Sequence, residues 1–160
     1  MNKYSIIVVD PPWNIDKVQR TVRPKQLLPL DYPVMLLDDI KNLPINKLAE
    51  DNSMIFLWVI DKYLFNARSI IENWGFKYHL TMAWSKTNGM SMWGFNRRTE
   101  FIVVGFKGSP VEVFPKRPTI KTSFQAKSLY HSAKPDEFYQ MLDVLDGDRV
   151  DIFARNKHKN

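Results

Sequence analysis

Cysteine is absent from this chain of 160 residues. Its absence excludes disulfide bonds and thiolate zinc sites, and it fits a reducing cytoplasm. Long apolar runs are absent from the N-terminus as well, where the first run has only about five residues, too short for a signal peptide or a membrane-spanning helix. Apolar residues nevertheless make up 44% of the chain. That fraction and the length predict one folded domain over residues 1–160, and we predict no metal site.

Acidic residues are outnumbered, with 17 against 23 lysines and arginines and a formal charge of +6. This balance favours nucleic acid or another polyanion as a partner. The basic residues concentrate in two polar stretches that we predict to be long loops, residues 14–31 and 107–134. Two further arginines stand before the strand predicted over residues 100–106. With them, the candidate nucleic-acid contacts are Arg20, Arg23, Lys25, Arg97, Arg98, Lys116, Arg117, Lys121 and Lys127. The alternative interpretation is an ordinary solvated surface.

Apolar, β-branched runs alternate with segments of helical periodicity. Strands are predicted over residues 4–9, 53–60, 76–84, 100–106 and 149–154, and helices over residues 32–41, 45–50 and 62–73 and from Pro135 onwards. The alternation predicts an α/β fold with a mostly parallel central sheet and helices on both faces. Ligands bind such sheets beyond the carboxyl ends of the strands, and Asp10 directly follows the first run.

The segment Asp10-Pro11-Pro12-Trp13 is the candidate catalytic core. The lone pair of an exocyclic amine on an aromatic base is delocalised into the ring, so two acceptors aimed at its N–H groups would make the nitrogen more nucleophilic. A carboxylate supplies one acceptor, and a backbone carbonyl in a rigid, N–H-free proline turn supplies the other. The tryptophan offers a face for stacking a base. Taken alone, the tetrapeptide favours a turn that ends a strand beside a core tryptophan over a catalytic site.

Further segments in the same order carry a resemblance to a known family. They are IIVVDPPW, the tyrosine and methionine of DYPVM with the following LP, FLWV, WGF, WSK, NRRTE, HSAKPD and DIFAR, which together cover nearly the whole chain. In this order they resemble the DPPW-type adenine-N6 methyltransferase family, which includes the eukaryotic messenger-RNA methylating enzymes and many phage and bacterial adenine methyltransferases. The resemblance implies a single-domain, Rossmann-like fold with permuted motif order, which accounts for the lack of an early glycine-rich loop.

The resemblance also implies a cofactor, S-adenosylmethionine, and roles for particular residues. Asp10 and Pro11 would hold the target amine, with Asp10 also beside the cofactor, and Trp13 would flank the base. Lys134 matches the family lysine that approaches the methionine carboxylate of the cofactor. Residues that match the family's ribose contacts are Arg155, Asn156 and His158, and for the last a frayed terminus is an equal alternative.

In one respect the chain departs from the family pattern, because the family's segment after the last strand helps to bind the adenosine and this sequence stops at Asn160. The adenosine pocket is therefore expected to be open, weak or completed by another subunit, and self-association or a partner subunit stays open. We expect methylation of adenine N6 in DNA, in the cytoplasm of a bacterium or a phage-infected cell, because small family members are often of that origin. RNA adenine or DNA cytosine-N4 methylation is the alternative. A catalytically inactive, nucleic-acid-binding partner subunit is a third interpretation, and the intact DPPW argues against it.

Overall fold

A six-stranded sheet forms the centre of the computed structural model, which describes residues 2–15, 33–89, 94–114, 119–128 and 133–154. The strands lie in the order β5-β3-β4-β2-β1-β6. They are β1 (Tyr4–Val9), β2 (Ala49–Val59), β3 (Lys77–Lys86), β4 (Thr99–Lys107), β5 (Ser123–Ala126) and β6 (Arg149–Ile152). The predicted α/β architecture is thereby confirmed.

Strand direction decides which residues meet at each end of the sheet. β1 is parallel to β2 and β6, and β3 is parallel to β5, whereas β4 is antiparallel to both of its neighbours. Of the six strands in the described part of the chain, β4 alone therefore runs in the opposite direction, and the mostly parallel sheet is confirmed. The carboxyl ends of the other five strands and the amino end of β4 share one edge of the sheet, which we call the carboxyl edge.

Helices cover both faces of the sheet, as predicted. They are α1 (Leu37–Lys41), α2 (Leu64–Asn73), α3 (Pro110–Val113) and α4 (Asp136–Leu142), with short 3-10 helices at Ile45–Lys47 and Asp61–Tyr63. Side chains alternate along β1, so that Ile7 and Val9 pack with α1 and α2, while Ile6 and Val8 pack with α3 and α4. Gly75, with φ +86°, ends the α2 segment as predicted. None of the helices among the described residues is long and apolar enough to cross a membrane.

Several predicted boundaries were wrong. The stretch 107–134 is not one continuous loop, because it contains α3 and the edge strand β5. Four residues carry too weak an alternating pattern to predict a strand, and pairing with β3 stabilises this one. Residues 33–36 are not helical, and α4 begins at Asp136 because Pro135 is extended, with ψ 145°. β6 ends at Ile152, since Phe153 has a φ of 67°. Most of the predicted loop 14–31, including Asp31, lies outside the described residues.

Candidate active site

Asp10 lies at the carboxyl edge, directly after β1. Its backbone N–H donates to the carbonyl oxygen of Ile152 at 3.2 Å, which extends the pairing of β1 with β6 by one residue. Its Oδ1 atom lies 3.0 Å from Nζ of Lys134, and 21% of the Asp10 side chain is exposed. The structure therefore places a carboxylate where ligands bind in sheets of this kind, and solvent reaches it.

A turn of two prolines follows Asp10. The N–H of Trp13 donates to the carbonyl oxygen of Pro11 at 2.8 Å, and the N–H of Met35 donates to that of Pro12 at 2.9 Å. A carbonyl oxygen has two lone pairs, so one hydrogen bond does not exhaust its capacity as an acceptor. The turn is thus held by hydrogen bonds at both carbonyls, and the proposed contact of Pro11 with a substrate amine stays a prediction.

Trp13 is a core residue with 5% of its surface exposed. Its ring stacks on Tyr63, with centroids 5.0 Å apart and an interplanar angle of 22°. Its Nε1–H donates to the carbonyl oxygen of Trp58 at 3.0 Å. This side chain anchors the candidate catalytic turn to β2, so the described arrangement does not present an open stacking face. The predicted contact between Trp13 and a base stays a prediction.

Lys134 lies between two carboxylates. Its Nζ atom is 3.0 Å from Oδ1 of Asp10 and 3.0 Å from Oε2 of Glu100, and 11% of its side chain is exposed. It also lies over the ring of Trp58, 4.7 Å from the centroid, a contact worth up to about 2 kcal/mol when desolvated. Burial disfavours its charged form, but Asp10 and Glu100 outweigh that effect and raise the pKa of Lys134 above its ordinary value. The side chain is therefore an ammonium group at neutral pH.

Glu100 is the site residue that sequence reasoning missed. It lies at the start of β4 and bridges two lysines, with Oε2 on Lys134 and Oε1 on Lys86. Burial disfavours its ionisation, but Lys134 and Lys86 outweigh burial and lower the pKa of Glu100. The only sequence signal was its place in NRRTE, ahead of a buried strand. Because the direction of β4 is not encoded in that pattern, nothing local placed Glu100 beside Asp10.

Two tryptophans form the floor of this charged cluster. Trp58 and Trp84 pack edge to face, with centroids 5.9 Å apart and an interplanar angle of 87°. Lys134 lies over the first ring and Lys86 over the second, 4.7 and 5.0 Å from the respective centroids. Glu100 thus joins two ammonium groups that each rest on an aromatic face. Contacts on several sides restrict each lysine, so the cluster is preorganised rather than solvated at random.

The charged groups at this edge match those of S-adenosylmethionine, the predicted cofactor, which carries a carboxylate, an ammonium and a sulfonium. Lys134 offers a cation to the carboxylate, and Asp10 and Glu100 offer anions to the cationic centres. An ammonium has three N–H donors, and the two protein carboxylates account for two of them. The donor set therefore fits the cofactor. The other predicted contacts, Arg155, Asn156 and His158, lie outside the described residues.

The structure separates the predicted nucleic-acid contacts. Arg97 is exposed before the amino end of β4, and Lys127 is exposed after the carboxyl end of β5, so both lie at the carboxyl edge with Asp10. Lys121 precedes β5 and belongs to the opposite edge. Arg98 is half-buried and donates through Nε, at 2.8 Å, and Nη2 to the carbonyl oxygen of Lys86, which gives it a structural role. The remaining candidates, Arg20, Arg23, Lys25, Lys116 and Arg117, lie outside the described residues.

Comparison with known proteins gives one consistent result. The sequence model of the MT-A70 family matches residues 4–160. An Arabidopsis thaliana protein named N(6)-adenosine-methyltransferase MT-A70-like is 30% identical over 97% of this chain and 22% of its own length. The human N(6)-adenosine-methyltransferase catalytic subunit METTL3 is 27% identical over 97% of this chain and 26% of its own length. The N6-adenosine-methyltransferase non-catalytic subunit MTB of Arabidopsis thaliana is 33% identical over 67% of this chain and 14% of its own length.

Two facts follow from these relatives. The chain spans about a quarter or less of the length of each of them. All three are eukaryotic and are named for adenosine, so the expected preference for DNA and the expected phage or bacterial origin find no support among them.

Proposed function

Since the chain belongs to the MT-A70 family, we propose that it transfers a methyl group from S-adenosylmethionine to the exocyclic N6 amine of adenine in nucleic acid. Its α/β sheet is consistent with a Rossmann-like methyltransferase fold, and methyltransferases of this family use S-adenosylmethionine. The observation that carries the proposal is the partly buried ion pair between Lys134 and Asp10, the residue directly before the proline turn.

The proposed mechanism assigns acceptor roles to Asp10 and Pro11. Each would accept one N–H of the amine, which draws the nitrogen towards tetrahedral geometry and localises its lone pair. A carboxylate has about four lone-pair sites, so the contact with Lys134 leaves capacity for a substrate N–H. Lys134 restrains the Asp10 carboxylate through a charge-assisted contact, and Glu100 restrains Lys134 in turn. Fixed acceptors need little reorganisation during the reaction, which is the main advantage of a preorganised site.

The bound cofactor would supply the methyl group: its S–CH3 bond would break as the N–CH3 bond forms, which leaves a neutral thioether, and the amine nitrogen would lose one proton to water. Lys134 would hold the methionine carboxylate of the cofactor with its third N–H. Asp10 would face the cationic groups of the cofactor. Because both contacts involve the same ion pair that restrains the amine acceptor, the methyl donor and the amine would be placed by one cluster. Holding the methyl group in line with the nitrogen would lower the activation barrier, because the two reacting atoms no longer have to find each other by diffusion.

RNA is the first substrate in our proposal, because the relatives are named for adenosine, the ribonucleoside. DNA adenine is the second, since the described contacts do not include a group assigned to a 2′-hydroxyl. In either polymer the base must leave its stack to reach Asp10, and this costs least in single strands or at mismatches. Arg97 and Lys127 at the carboxyl edge would hold the backbone phosphates. Cytosine-N4 methylation poses the same chemical problem and is the third substrate to test.

A non-catalytic subunit is the alternative of a different class, and the MTB relative gives it a specific basis. The intact Asp10-Pro11-Pro12-Trp13 segment, with its carboxylate paired to Lys134, favours the catalytic proposal. Oligomerisation with a second copy or with another subunit remains part of either proposal. Cofactor binding by the isolated chain separates the two, because a purely nucleic-acid-binding subunit does not need S-adenosylmethionine.

The deciding experiment uses cofactor with a labelled methyl group and four pools of nucleic acid, single- and double-stranded RNA and DNA. After digestion, nucleoside analysis identifies the methylated base. Labelled N6-methyladenosine or N6-methyldeoxyadenosine that is lost in Asp10→Ala supports the proposal and identifies the polymer. No transfer in any pool by a chain that binds nucleic acid but not the cofactor would favour the non-catalytic alternative.

A further inference from the structure

Tyr63 contacts Trp13 and Asn14, the two consecutive residues at which the chain leaves the candidate catalytic turn. Its ring stacks on Trp13 with centroids 5.0 Å apart, and its hydroxyl donates to the carbonyl oxygen of Asn14 at 2.8 Å. The interplanar angle of 22° and the hydrogen-bond distance are both favourable. One side chain from the segment after β2 therefore restrains both the ring and the backbone of the exit from the turn.

Lys62 reinforces this contact. Its Nζ atom lies 3.3 Å from the carbonyl oxygen of Asn14 and 5.0 Å from the centroid of the Tyr63 ring. The carbonyl of Asn14 thus accepts from two neighbouring side chains, which uses both of its lone pairs. The segment that carries them is itself restrained, because the N–H of Tyr63 donates to the carbonyl oxygen of Ile60 at 3.0 Å and α2 begins at the next residue.

The contact is connected to the proposed acceptor carbonyl through Trp13. The backbone N–H of Trp13 donates to the carbonyl oxygen of Pro11 at 2.8 Å, while the indole N–H donates to the carbonyl oxygen of Trp58 at 3.0 Å. Because the ring and the backbone N–H belong to the same residue, a shift of Trp13 as a whole would also move the N–H that orients the Pro11 carbonyl. A ring with Trp58 on its N–H and Tyr63 on its face is restrained against such movement.

We propose that Tyr63 is a positioning residue of the active site, which holds Trp13 and Asn14 so that the Pro11 carbonyl keeps the orientation needed to accept an N–H of the target amine. Its effect on turnover rests on the proposed function, whereas its effect on the Trp13 indole does not. Tyr63 does not contact the reacting atoms in this proposal. Its loss should therefore lower kcat while leaving cofactor affinity nearly unchanged.

The test compares Tyr63→Phe, which keeps the stacked ring, with Tyr63→Leu, which loses both the stack and the hydrogen bond. Tyr78→Leu is the matched control, since Tyr78 is a partly exposed tyrosine at the start of β3, away from the carboxyl edge. We expect Tyr63→Leu to lower kcat about tenfold or more and to change cofactor Kd by less than about threefold, with Tyr63→Phe recovering most of kcat. Tyr78→Leu should match the wild type.

A second measurement does not depend on activity. The indole N–H resonance of Trp13, assigned by its loss in Trp13→Phe, should exchange with solvent slowly in the wild type and in Tyr63→Phe. In Tyr63→Leu it should exchange faster, while the other indole resonances stay unchanged. If the wild type transfers no methyl group but the exchange rates follow this pattern, the proposed function fails and the restraint by Tyr63 stands. Unchanged exchange, or a loss of kcat in Tyr63→Leu no larger than in Tyr78→Leu, would overturn the inference.

Discussion

The Nζ atom of Lys134 lies 3.0 Å from Oδ1 of Asp10, so the residue two positions before α4 touches the residue directly after β1. The contact is formed by side chains far apart in the sequence, which the sheet brings to one edge. Folding therefore creates the charged cluster, and an unfolded chain has no equivalent of it.

Asp10→Ala should reduce methyl transfer by about a hundredfold or more, because it removes the acceptor that would act on the amine in the proposed mechanism. Asp10→Asn should be almost as damaging, since an amide can turn a donor towards a position where only an acceptor helps. Single-turnover rates with labelled cofactor measure the effect, and circular dichroism checks the fold. Asp38→Ala, an exposed aspartate of α1, is the control. Near-normal turnover in folded Asp10→Ala would show that the mechanism is wrong.

Lys134→Ala should weaken binding of S-adenosylmethionine by about 1–3 kcal/mol, the usual contribution of a charge-assisted contact. Calorimetry measures this value, with the exposed Lys47→Ala as the control. Because the pKa of Lys134 is raised above 10.5, its charge is present at every pH below that value and is lost only as the pH rises through the raised pKa. Wild-type affinity should therefore show no loss from this group between about pH 7 and about pH 9. If Lys134→Ala and the wild type bind S-adenosylmethionine with equal affinity, Lys134 does not contact the cofactor and its role is purely structural.

Glu100→Gln should lower the free energy of unfolding at neutral pH by about 1–3 kcal/mol, because the two lysines lose their shared carboxylate. The folded-state pKa of Glu100 lies below the ordinary 4.5. Its stabilisation is thus present above that value and is lost as the pH falls through the lowered pKa. Urea unfolding at several pH values should show the difference between wild type and variant shrinking in acid. Glu50→Gln, the same substitution at an exposed residue, is the control.

Arg97→Ala/Lys127→Ala should weaken binding to labelled oligonucleotides and reduce the salt slope by about two units, one for each lost phosphate contact. The matched control is Lys3→Ala/Lys121→Ala, which removes the same charge from residues that precede β1 and β5 at the opposite edge. Titration at several salt concentrations compares the two. If both double variants lose the same affinity, net charge rather than the carboxyl edge controls binding. Arg23→Ala/Lys25→Ala then becomes the next pair to test.

Much of the fold was predictable because it depends on patterns within short segments. The continuous apolar runs of β1, β2 and β4 indicated buried strands, the helical spacing through Ala67, Ile70 and Ile71 indicated α2, and Gly75 marked its end. The weakest local pattern, that of the four-residue β5, was missed, since pairing with β3 rather than its own sequence stabilises it.

The sequence by itself determined which chemical groups the turn after β1 carries. A carboxylate followed by two prolines is an acceptor beside a backbone without N–H groups in any fold. Asp10, Pro11 and Pro12 could therefore be identified from the sequence as candidate catalytic residues. Only the tertiary structure decided what surrounds them. The antiparallel direction of β4 brought Glu100 to Lys134, and burial against Tyr63 made Trp13 an anchor. The physical reason is that residue type and spacing act over a few positions, whereas strand direction and burial depend on pairing between segments far apart in the chain.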